Sequence, residues 1–268
     1  MCGLPERKDK DRTLSLKIKK LVKMVEEAGH IVVLTGAGIS TNVGIPDFRG
    51  PNGIWTNEKK RKRGSKEVMD FSKATPSLTH RALVKLVELG KVDFVITQNV
   101  DGLHRRSGLS RDRHAVLHGC VFTEECDKCH TEHFRDFDCG GMSFKKTGRK
   151  CDKCGGDLKD MLLDWDDELP EYDFVRCNDE CRKADLAIVL GSSLRIEPAG
   201  SLPTIAKEFV IVNFQETPYD SKAKLKINAD VDHVMEELLQ QLGQQDWDSA
   251  REVSIQRYWR KLTLSGKK

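Results

Sequence analysis

The sequence predicts an α/β fold built on a doubly wound, mostly parallel sheet, with one small module inserted into it. Short apolar runs alternate with segments of helical periodicity, as in strands that helices cover on both faces. Each apolar run ends in glycine or small polar residues, which is typical of the ligand-binding edge of such a sheet. The alternation stops between residues 119 and 160, where cysteine, lysine, glycine and aspartate replace the aliphatic residues that a separate core would need.

The chain opens with a helix followed by a βα unit. Apolar residues recur at helical spacing from Leu14 to Val25, and Gly29 follows as a stop signal. Residues 31–34 form an apolar run that passes directly into the glycine turn of residues 35–40. This order predicts a buried strand, a tight turn and the start of a helix.

The same alternation continues to the end of the sheet. Residues 79–89 and 231–242 are predicted to be helices, and residues 92–96, 186–190 and 209–212 are predicted to be strands. The four predicted strands end in GAGIS, TQN, GSS and NFQ. Because the carboxyl ends of parallel strands lie at one edge, we expect these segments to share a crevice in a Rossmann-like sheet.

Composition limits the possible classes of protein. The 268 residues are 38% hydrophobic and 32% charged, with a net charge of only +3, which by itself does not indicate nucleic-acid binding. We find no apolar run of membrane-spanning length and no signal peptide, so we expect a soluble intracellular protein without membrane contact. Nine cysteines without an export signal favour metal ligation over a disulfide framework.

Two C-x-x-C pairs, Cys126 with Cys129 and Cys151 with Cys154, flank the core-poor segment. Each pair can present two thiolates, and together they can complete a tetrahedral, four-thiolate zinc site that would be structural because it leaves no position open. The intervening residues 130–150 slightly exceed the commonest spacing. A redox C-x-x-C motif or buried free thiols are the alternatives.

Gly36, Ala37 and Gly38 follow the first predicted strand and could let backbone amides approach a pyrophosphate at a helix start. The dinucleotide fingerprint is incomplete, because Thr41 stands where its third glycine would be. The motif therefore predicts either a phosphate-binding turn or simply a tight βα turn.

Several other polar residues lie where they could act on a ligand. The glycine- and proline-rich loop of residues 44–51 carries Asp47, Phe48 and Arg49, as in a loop that closes over a ligand. His118 precedes the cysteine segment and could face the crevice as a general base. It could equally satisfy turn amides, as polar residues in turns often do.

The motifs GAGIS, GIPDFRG, TQNVDGLH, LHG, the four cysteines and GSSL stand here in the order seen in sirtuins. Over roughly residues 14–243 the chain resembles the NAD-dependent protein deacylases of that family. The segments CGLPE, FRGPNGIW and LDWDDELP resemble the class IV branch, and the last is more sirtuin-6-like than sirtuin-7-like.

The resemblance implies a reaction in which an acyl-lysine oxygen attacks C1′ of the nicotinamide ribose of NAD. A ribose hydroxyl then resolves the alkylimidate, which yields lysine, nicotinamide and O-acyl-ADP-ribose. By the same resemblance His118, Asn99 and Asp101 would be catalytic, with His118 as the base, and Trp165 would lie by the acyl-lysine tunnel. For Trp165 a core aromatic is the alternative.

The resemblance also implies how the chain holds NAD and a structural zinc ion. The NAD-binding domain would be residues 1–118 and 161–243, with a zinc-binding module at 119–160 and a tail at 244–268. The residues expected to contact NAD are Gly36, Ala37, Gly38, Ser40, Asp47, Phe48, Arg49, Trp55, Gln98, Asn99, Asp101, His118, Gly191, Ser192, Ser193, Asn213, Gln215 and Val231.

The expected partners are acylated lysines in proteins, above all histone tails, and the expected location is the nucleus. Five consecutive cations, Lys59, Lys60, Arg61, Lys62 and Arg63, could serve as a nuclear localisation signal, contact nucleosomal DNA or form a solvated loop. A mono-ADP-ribosyltransferase that uses the same site and a non-catalytic chromatin-binding module are the alternative functions.

Overall fold

Two sheets form the framework of residues 2–60 and 71–248, the parts of the chain that the computed structural model describes. The helices are α1 (Asp11–Glu27), α2 (Ile54–Lys59), α3 (Leu78–Glu88), α4 (Leu103–Arg106), α5 (Glu171–Lys183) and α6 (Val231–Gln241). The strands are β1 (Ile31–Thr35), β2 (Phe94–Thr97), β3 (His114–Val116), β4 (Thr123–Cys126), β5 (Glu132–Phe134), β6 (Lys146–Lys150), β7 (Asp157–Asp160), β8 (Leu186–Leu190), β9 (Glu208–Val212) and β10 (Leu225–Ile227).

The larger sheet has the order β10-β9-β8-β1-β2-β3, and all of its described strand pairs are parallel. The direction of winding reverses between β1 and β8, as in a Rossmann fold, and this point is where such sheets bind ligands. The predicted fold class is therefore confirmed, and the loops that follow β1 and β8 occupy its ligand-binding position.

Both faces of β1 are buried, which explains its uninterrupted apolar run. Ile31 and Val33 pack in the core cluster to which α1, α3 and α6 contribute. Val32 and Leu34 point to the opposite face and pack in the cluster to which α5 contributes. Helices thus cover the sheet on both sides.

The helices and strands that we predicted outside the module are present. The second strand begins at Phe94 rather than at Val92, because the Val92 amide donates to the Leu86 carbonyl at 3.3 Å and so still belongs to the end of α3. Cys177 and Cys181 of α5 lie buried in the apolar cluster beneath that helix. The three-residue edge strands β3 and β10 were not predicted.

The four-stranded antiparallel sheet, in the order β5-β4-β7-β6, forms the inserted module. The chain enters and leaves it at one point, where the Cys120 amide donates to the Met161 carbonyl at 3.3 Å. A Cβ on Gly119, whose φ is +77°, would lie 1.7 Å from the Met161 oxygen, so only glycine fits this crossing. That residues 119–160 form a separate domain stays a prediction.

The start of the expected tail packs on the larger domain. Trp247 contacts the core cluster beneath α6, and Asp248 accepts hydrogen bonds from the Arg81 guanidinium at 2.8–3.1 Å. The rest of the tail and residues 61–63 of the basic run lie outside the described residues. Within those described, we find no helix with the length and apolarity needed to cross a membrane.

Candidate active site and metal centre

A cavity of about 900 Å³ opens at the carboxyl ends of β1, β2, β8 and β9. The predicted site residues on its wall are Gly36, Ala37, Gly38, Asp47, Phe48, Arg49, Trp55, Gln98, Asn99, His118, Trp165, Gly191, Ser192, Ser193, Asn213 and Gln215. Among the described residues, Ser40, Asp101 and Val231 were also predicted but lie outside this lining. The structure therefore collects residues from four strand ends and two loops around one space.

His118 lies two residues after β3, and its ring is held in one orientation. Its Nδ1 lies 3.0 Å from the Gln98 carbonyl oxygen. Because a carbonyl can only accept, Nδ1 must carry the proton and Nε2 is left with a free lone pair. Nε2 is buried and finds no hydrogen-bond partner among residues 2–60 and 71–248. The ring is thus arranged as a proton acceptor.

Burial lowers the pKa of His118, and the nearby Arg49 guanidinium acts in the same direction, whereas the hydrogen bond to Gln98 opposes it. The ring is therefore neutral at neutral pH, which is the state that a general base requires. The structure decides between the two roles that the sequence left open: Nδ1 does satisfy the backbone, and Nε2 stays available to a ligand.

Asn99, on the cavity wall, and Asp101, behind it, belong to one buried hydrogen-bond network. The Asn99 Nδ2 donates to the Gly36 carbonyl at 3.1 Å. The Ser40 hydroxyl donates to one carboxylate oxygen of Asp101 at 2.7 Å, and the Leu103 amide donates to the other at 3.0 Å. Burial raises the pKa of Asp101 above its ordinary value. Both carboxylate oxygens are thus occupied within the chain, and the network fixes the turn that carries Asn99.

The glycines after β1 allow two strand ends to approach closely at the point where the winding reverses. The Gly38 amide donates to the Gly191 carbonyl at 2.9 Å. A Cβ on Gly36 or on Gly38 would lie 2.8 Å from that same oxygen, which is too close for any side chain. The glycine motif therefore shapes the turn, and it also lines the cavity.

The loop that carries Asp47, Phe48 and Arg49 is folded onto α2. The Asp47 carboxylate accepts from the Gly50 amide at 3.0 Å, and the Asp47 carbonyl accepts from the Ile54 amide at 2.9 Å. Burial raises the pKa of Asp47 above its ordinary value. These contacts turn Phe48 and Arg49 toward the cavity.

Three aromatic rings form one wall of the cavity. The centroids of Phe48 and Trp55 lie 4.7 Å apart, and those of Trp55 and Trp165 lie 5.0 Å apart. The Arg49 guanidinium stacks over Trp55 at 4.3 Å from the ring centroid. Trp165 is 67% exposed, so the alternative that it is a core aromatic is wrong.

Several residues that line the cavity were not predicted from the sequence. Two segments of the cavity wall lie in the loops after the module and after β8, and α5 contributes Phe174. No motif of the sequence pointed to Phe174 or to Arg195 of the loop after β8. Asp164, Asp167 and Glu168 could have been found, since they flank the predicted Trp165 in the LDWDDELP segment.

The four predicted cysteines of the module form a compact group. Their Sγ atoms all lie within 4.8 Å of one another, with Cys126 and Cys154 at 3.4 Å and Cys129 and Cys151 at 3.7 Å. A tetrahedron with Zn–S bonds of about 2.3 Å separates its thiolates by about 3.8 Å, so the group fits a zinc ion. Four protein ligands close the site, as a structural metal requires.

Comparison with known proteins agrees with this arrangement. A model described as Sir2 family matches residues 36–73 and 62–198. The NAD-dependent protein deacetylase SRT1 of Arabidopsis thaliana is 46% identical over 247 residues, which cover 90% of this chain and 52% of SRT1. The NAD-dependent protein deacetylase Sirt6 of Drosophila melanogaster is 41% identical over 254 residues, which cover 90% of this chain and 80% of the fly protein.

A solved structure, a Sir2–p53 peptide–NAD+ complex, is similar with a TM-score of 0.65 and 33% identity. That similarity covers 85% of this chain and 99% of the solved one. The chain spans about half the length of the plant relative and most of the length of the fly relative.

Proposed function

The chain belongs to the Sir2 family, and we propose that it is an NAD-dependent protein-lysine deacylase. In the proposed reaction, the acyl group of a modified lysine moves to the ADP-ribose part of NAD. One water molecule is consumed when the intermediate that remains after release of the amine is hydrolysed, and the products are free lysine, nicotinamide and O-acyl-ADP-ribose. Relatives bearing the name NAD-dependent protein deacetylase and a related structure with peptide and NAD+ support this proposal.

The observation that carries the proposal is the state of His118. A neutral imidazole with an unpartnered, buried Nε2 stands on the wall of a cavity large enough for a dinucleotide. Such a group can take the proton of a ribose hydroxyl and make that oxygen a nucleophile. The Gln98 carbonyl would hold the resulting imidazolium in place through Nδ1. The same arrangement argues against a non-catalytic binding module, which would have no use for an aimed base.

We assign the remaining residues by their positions on the wall. Asn99 would orient the nicotinamide ribose, while Asp101 would act from behind by fixing the turn that carries Asn99. Phe48 would shield the reacting carbon from water. Arg49 would bring positive charge to the phosphates. Other proposed NAD contacts, on the adenosine side, come from the loops after β8 and β9.

The substrate-entry side of the cavity supports a basic peptide as substrate. Trp165 stands there beside Trp55, and the acidic residues Asp164, Asp167 and Glu168 line the same side. Aromatic rings can enclose the acyl-lysine stem, and carboxylates attract flanking Lys or Arg residues. We therefore propose histone tails as the protein substrates, with acetyl-lysine and longer acyl-lysines as the groups removed.

Sequence features also support an assignment of subfamily and cellular location. Forty-one per cent identity to the fly Sirt6, together with CGLPE and LDWDDELP, supports a sirtuin-6-like member of class IV. The cations of residues 59–63 support a nuclear location and contact with nucleosomal DNA. Lys59 and Lys60 are exposed at the end of α2, and expression of a fluorescent fusion in a nucleated cell tests the location.

The activity test is incubation of the protein with NAD and an acetyl- or myristoyl-lysine histone peptide, followed by mass spectrometry of all products. We expect free lysine and O-acyl-ADP-ribose in equal amounts. His118→Tyr should lower turnover at least a hundredfold, because it removes the base. It should leave the fold and the zinc content intact.

His233→Tyr is the matched control, because His233 is exposed on α6 and away from the cavity wall. Full turnover by the His118 variant would contradict the proposed mechanism. ADP-ribose found on protein, with no O-acyl-ADP-ribose, would identify a mono-ADP-ribosyltransferase instead.

A further inference from the structure

The first residues of the described chain run along the edge of the larger sheet that carries the cavity. We name residues 3–9 the amino-terminal strap. Three of its amides donate hydrogen bonds to carbonyls of distant segments, over 2.8–2.9 Å: Gly3 to Arg49, Arg7 to Phe214 and Asp9 to Asn228. The strap thereby joins the loop before α2 to the loops that follow β9 and β10.

The side chain of Gln215 also binds the strap. Its Nε2 donates to the Leu4 carbonyl at 2.7 Å and to the Arg49 carbonyl at 3.3 Å. The residue is buried, and its own carbonyl accepts from the Lys226 ammonium at 2.9 Å. Its side-chain nitrogen Nε2 therefore binds both the strap and the loop that carries Arg49.

The Arg49 carbonyl is the point where these contacts meet. It accepts one hydrogen bond from the Gly3 amide and a second from Gln215. The Arg49 side chain stacks over Trp55 on the cavity wall and lies close enough to His118 to affect its pKa. The backbone that carries this guanidinium is thus held by Gly3, which lies outside the cavity lining, and by Gln215, which belongs to it.

The backbone conformation and the surroundings of Gly3 favour glycine at this position. Its φ of +69° is unfavourable for any other residue, and a Cβ there would lie 3.2 Å from the Thr56 Cγ2 of α2. Thr56 is buried beneath it. The close approach explains a glycine in the CGLPE segment, whose purpose the sequence alone does not reveal.

We propose that the amino-terminal strap is a working part of the nucleotide site, and that Gln215 is the positioning residue through which it acts on Arg49. The proposal rests on the proposed function, since it takes NAD as the ligand. Docking of the strap and binding of the nucleotide are then coupled, and by linkage each must strengthen the other by the same factor. Chemical modification or displacement of the strap would weaken NAD binding without touching any catalytic group.

The first test is calorimetric titration of the full chain with ADP-ribose. Gly3→Pro removes the amide donor and forbids the observed φ, yet it lies outside the cavity and the core. We expect its dissociation constant to rise about five- to tenfold, as for the loss of one or two hydrogen bonds. Because Gln215 also lines the cavity, the affinity of Gln215→Ala alone does not test the strap. The double variant should bind no more weakly than Gln215→Ala, because both changes remove support from the same Arg49 carbonyl.

The matched control is Gln245→Ala, an exposed glutamine at the far end of the described chain, which should bind as the wild type does. Gly3→Pro should raise the KM for NAD while leaving kcat, the KM for peptide and the melting temperature near the wild-type values. A merely structural strap would lower the melting temperature and leave the KM for NAD unchanged.

The second test measures hydrogen exchange of the peptide covering residues 2–10 by mass spectrometry. Saturating ADP-ribose should slow its exchange, and Gln215→Ala should abolish most of that protection. If ADP-ribose binds the wild type but neither protects the strap nor distinguishes Gly3→Pro, the strap proposal is wrong and the proposed function stands. If the wild type binds no ADP-ribose, both are wrong.

Discussion

His80 and His104 are in contact in the core, with ring centroids 4.7 Å apart, ring planes inclined by 56° and neither ring exposed to solvent. A third ring, His114, lies 6.3 Å from His104 and is equally buried. Burial lowers the pKa of all three, and it lowers that of His104 to about 3. These rings are neutral in the folded protein and would repel one another if they were charged.

Acid should therefore destabilise the protein well above the pH at which these rings become charged in the fold. Their contribution is complete above pH 6.5, the ordinary value for histidine, and is lost as the pH falls toward the lowered folded pKa, because only the unfolded chain takes up the protons. We expect each ring to cost about 1.4 kcal/mol per pH unit in that window. Melting temperatures between pH 7.5 and 5 measure the slope.

His114→Leu isolates the contribution of one ring from those of the carboxylates and the metal site, which remain in both proteins. The melting temperature of this variant should depend less steeply on pH than that of the wild type. If melting temperature falls with pH in the same way for the variant and the wild type, the histidine cluster is not the cause of the acid sensitivity.

Cys129→Ser should release the metal and lower the melting temperature of the whole chain. Around the four thiolates Leu158 is the one other residue of the apolar cluster among the described residues, so the free energy of zinc binding is also free energy of folding there. Elemental analysis should find about one zinc per wild-type chain and far less in the variant. Cys2→Ser, outside the group, is the control, and retention of zinc by the Cys129 variant would rule out the four-cysteine site.

Trp165→Ala should raise the KM for an acyl-lysine peptide about three- to tenfold, because it removes the aromatic surface that we propose packs on the acyl-lysine stem, a contact worth about 0.5–1.5 kcal/mol. The KM for NAD should change little. Tyr172→Ala is a matched control, since Tyr172 is as exposed as Trp165 but lies outside the lining of the large cavity. Steady-state kinetics with each substrate varied in turn would detect the difference, and equal KM values for both variants would remove Trp165 from the substrate path.

Replacing all five cations of residues 59–63 by Gln should weaken nucleosome binding and flatten its dependence on salt. Each lost phosphate contact should reduce the slope of log K against log salt by about 0.9. Turnover of a free peptide should barely change. Nucleosome binding measured across a salt titration provides the test. Identical curves for variant and wild type would mean that the five cations do not contact DNA and form only a solvated loop.

The strands at the centre of the sheet could be predicted because burial on both faces leaves a plain apolar signature. The edge strands β3 and β10 could not, since three residues are too few to display a period and their pairing depends on neighbours distant in sequence. His114 illustrates the difficulty: its burial beside His104 follows from pairing with Val95, which no local pattern reveals.

Some parts of the candidate site could likewise be predicted from the sequence, and others could not. The cysteine spacing predicted the metal group directly, and the motifs of the first half predicted the wall that carries His118 and Asn99. The engagement of Gln215 with Leu4 could not be predicted, because the two residues are 211 positions apart and neither belongs to a motif that specifies the other. Contacts between segments so distant in sequence are decided by the assembled fold.

The crossing of Gly119 with Met161 has a consequence for motion. The inserted module is tethered to the sheet where its first and last residues touch, and the next residue back along the chain is His118. The Leu163 amide donates to the His118 carbonyl at 3.3 Å, so the outgoing chain also holds that residue. Because Glu132 of β5 also pairs with Arg105 and Arg111 of the larger domain, the module is held at a second place, and the two attachments together resist a tilt that would change the aim of Nε2.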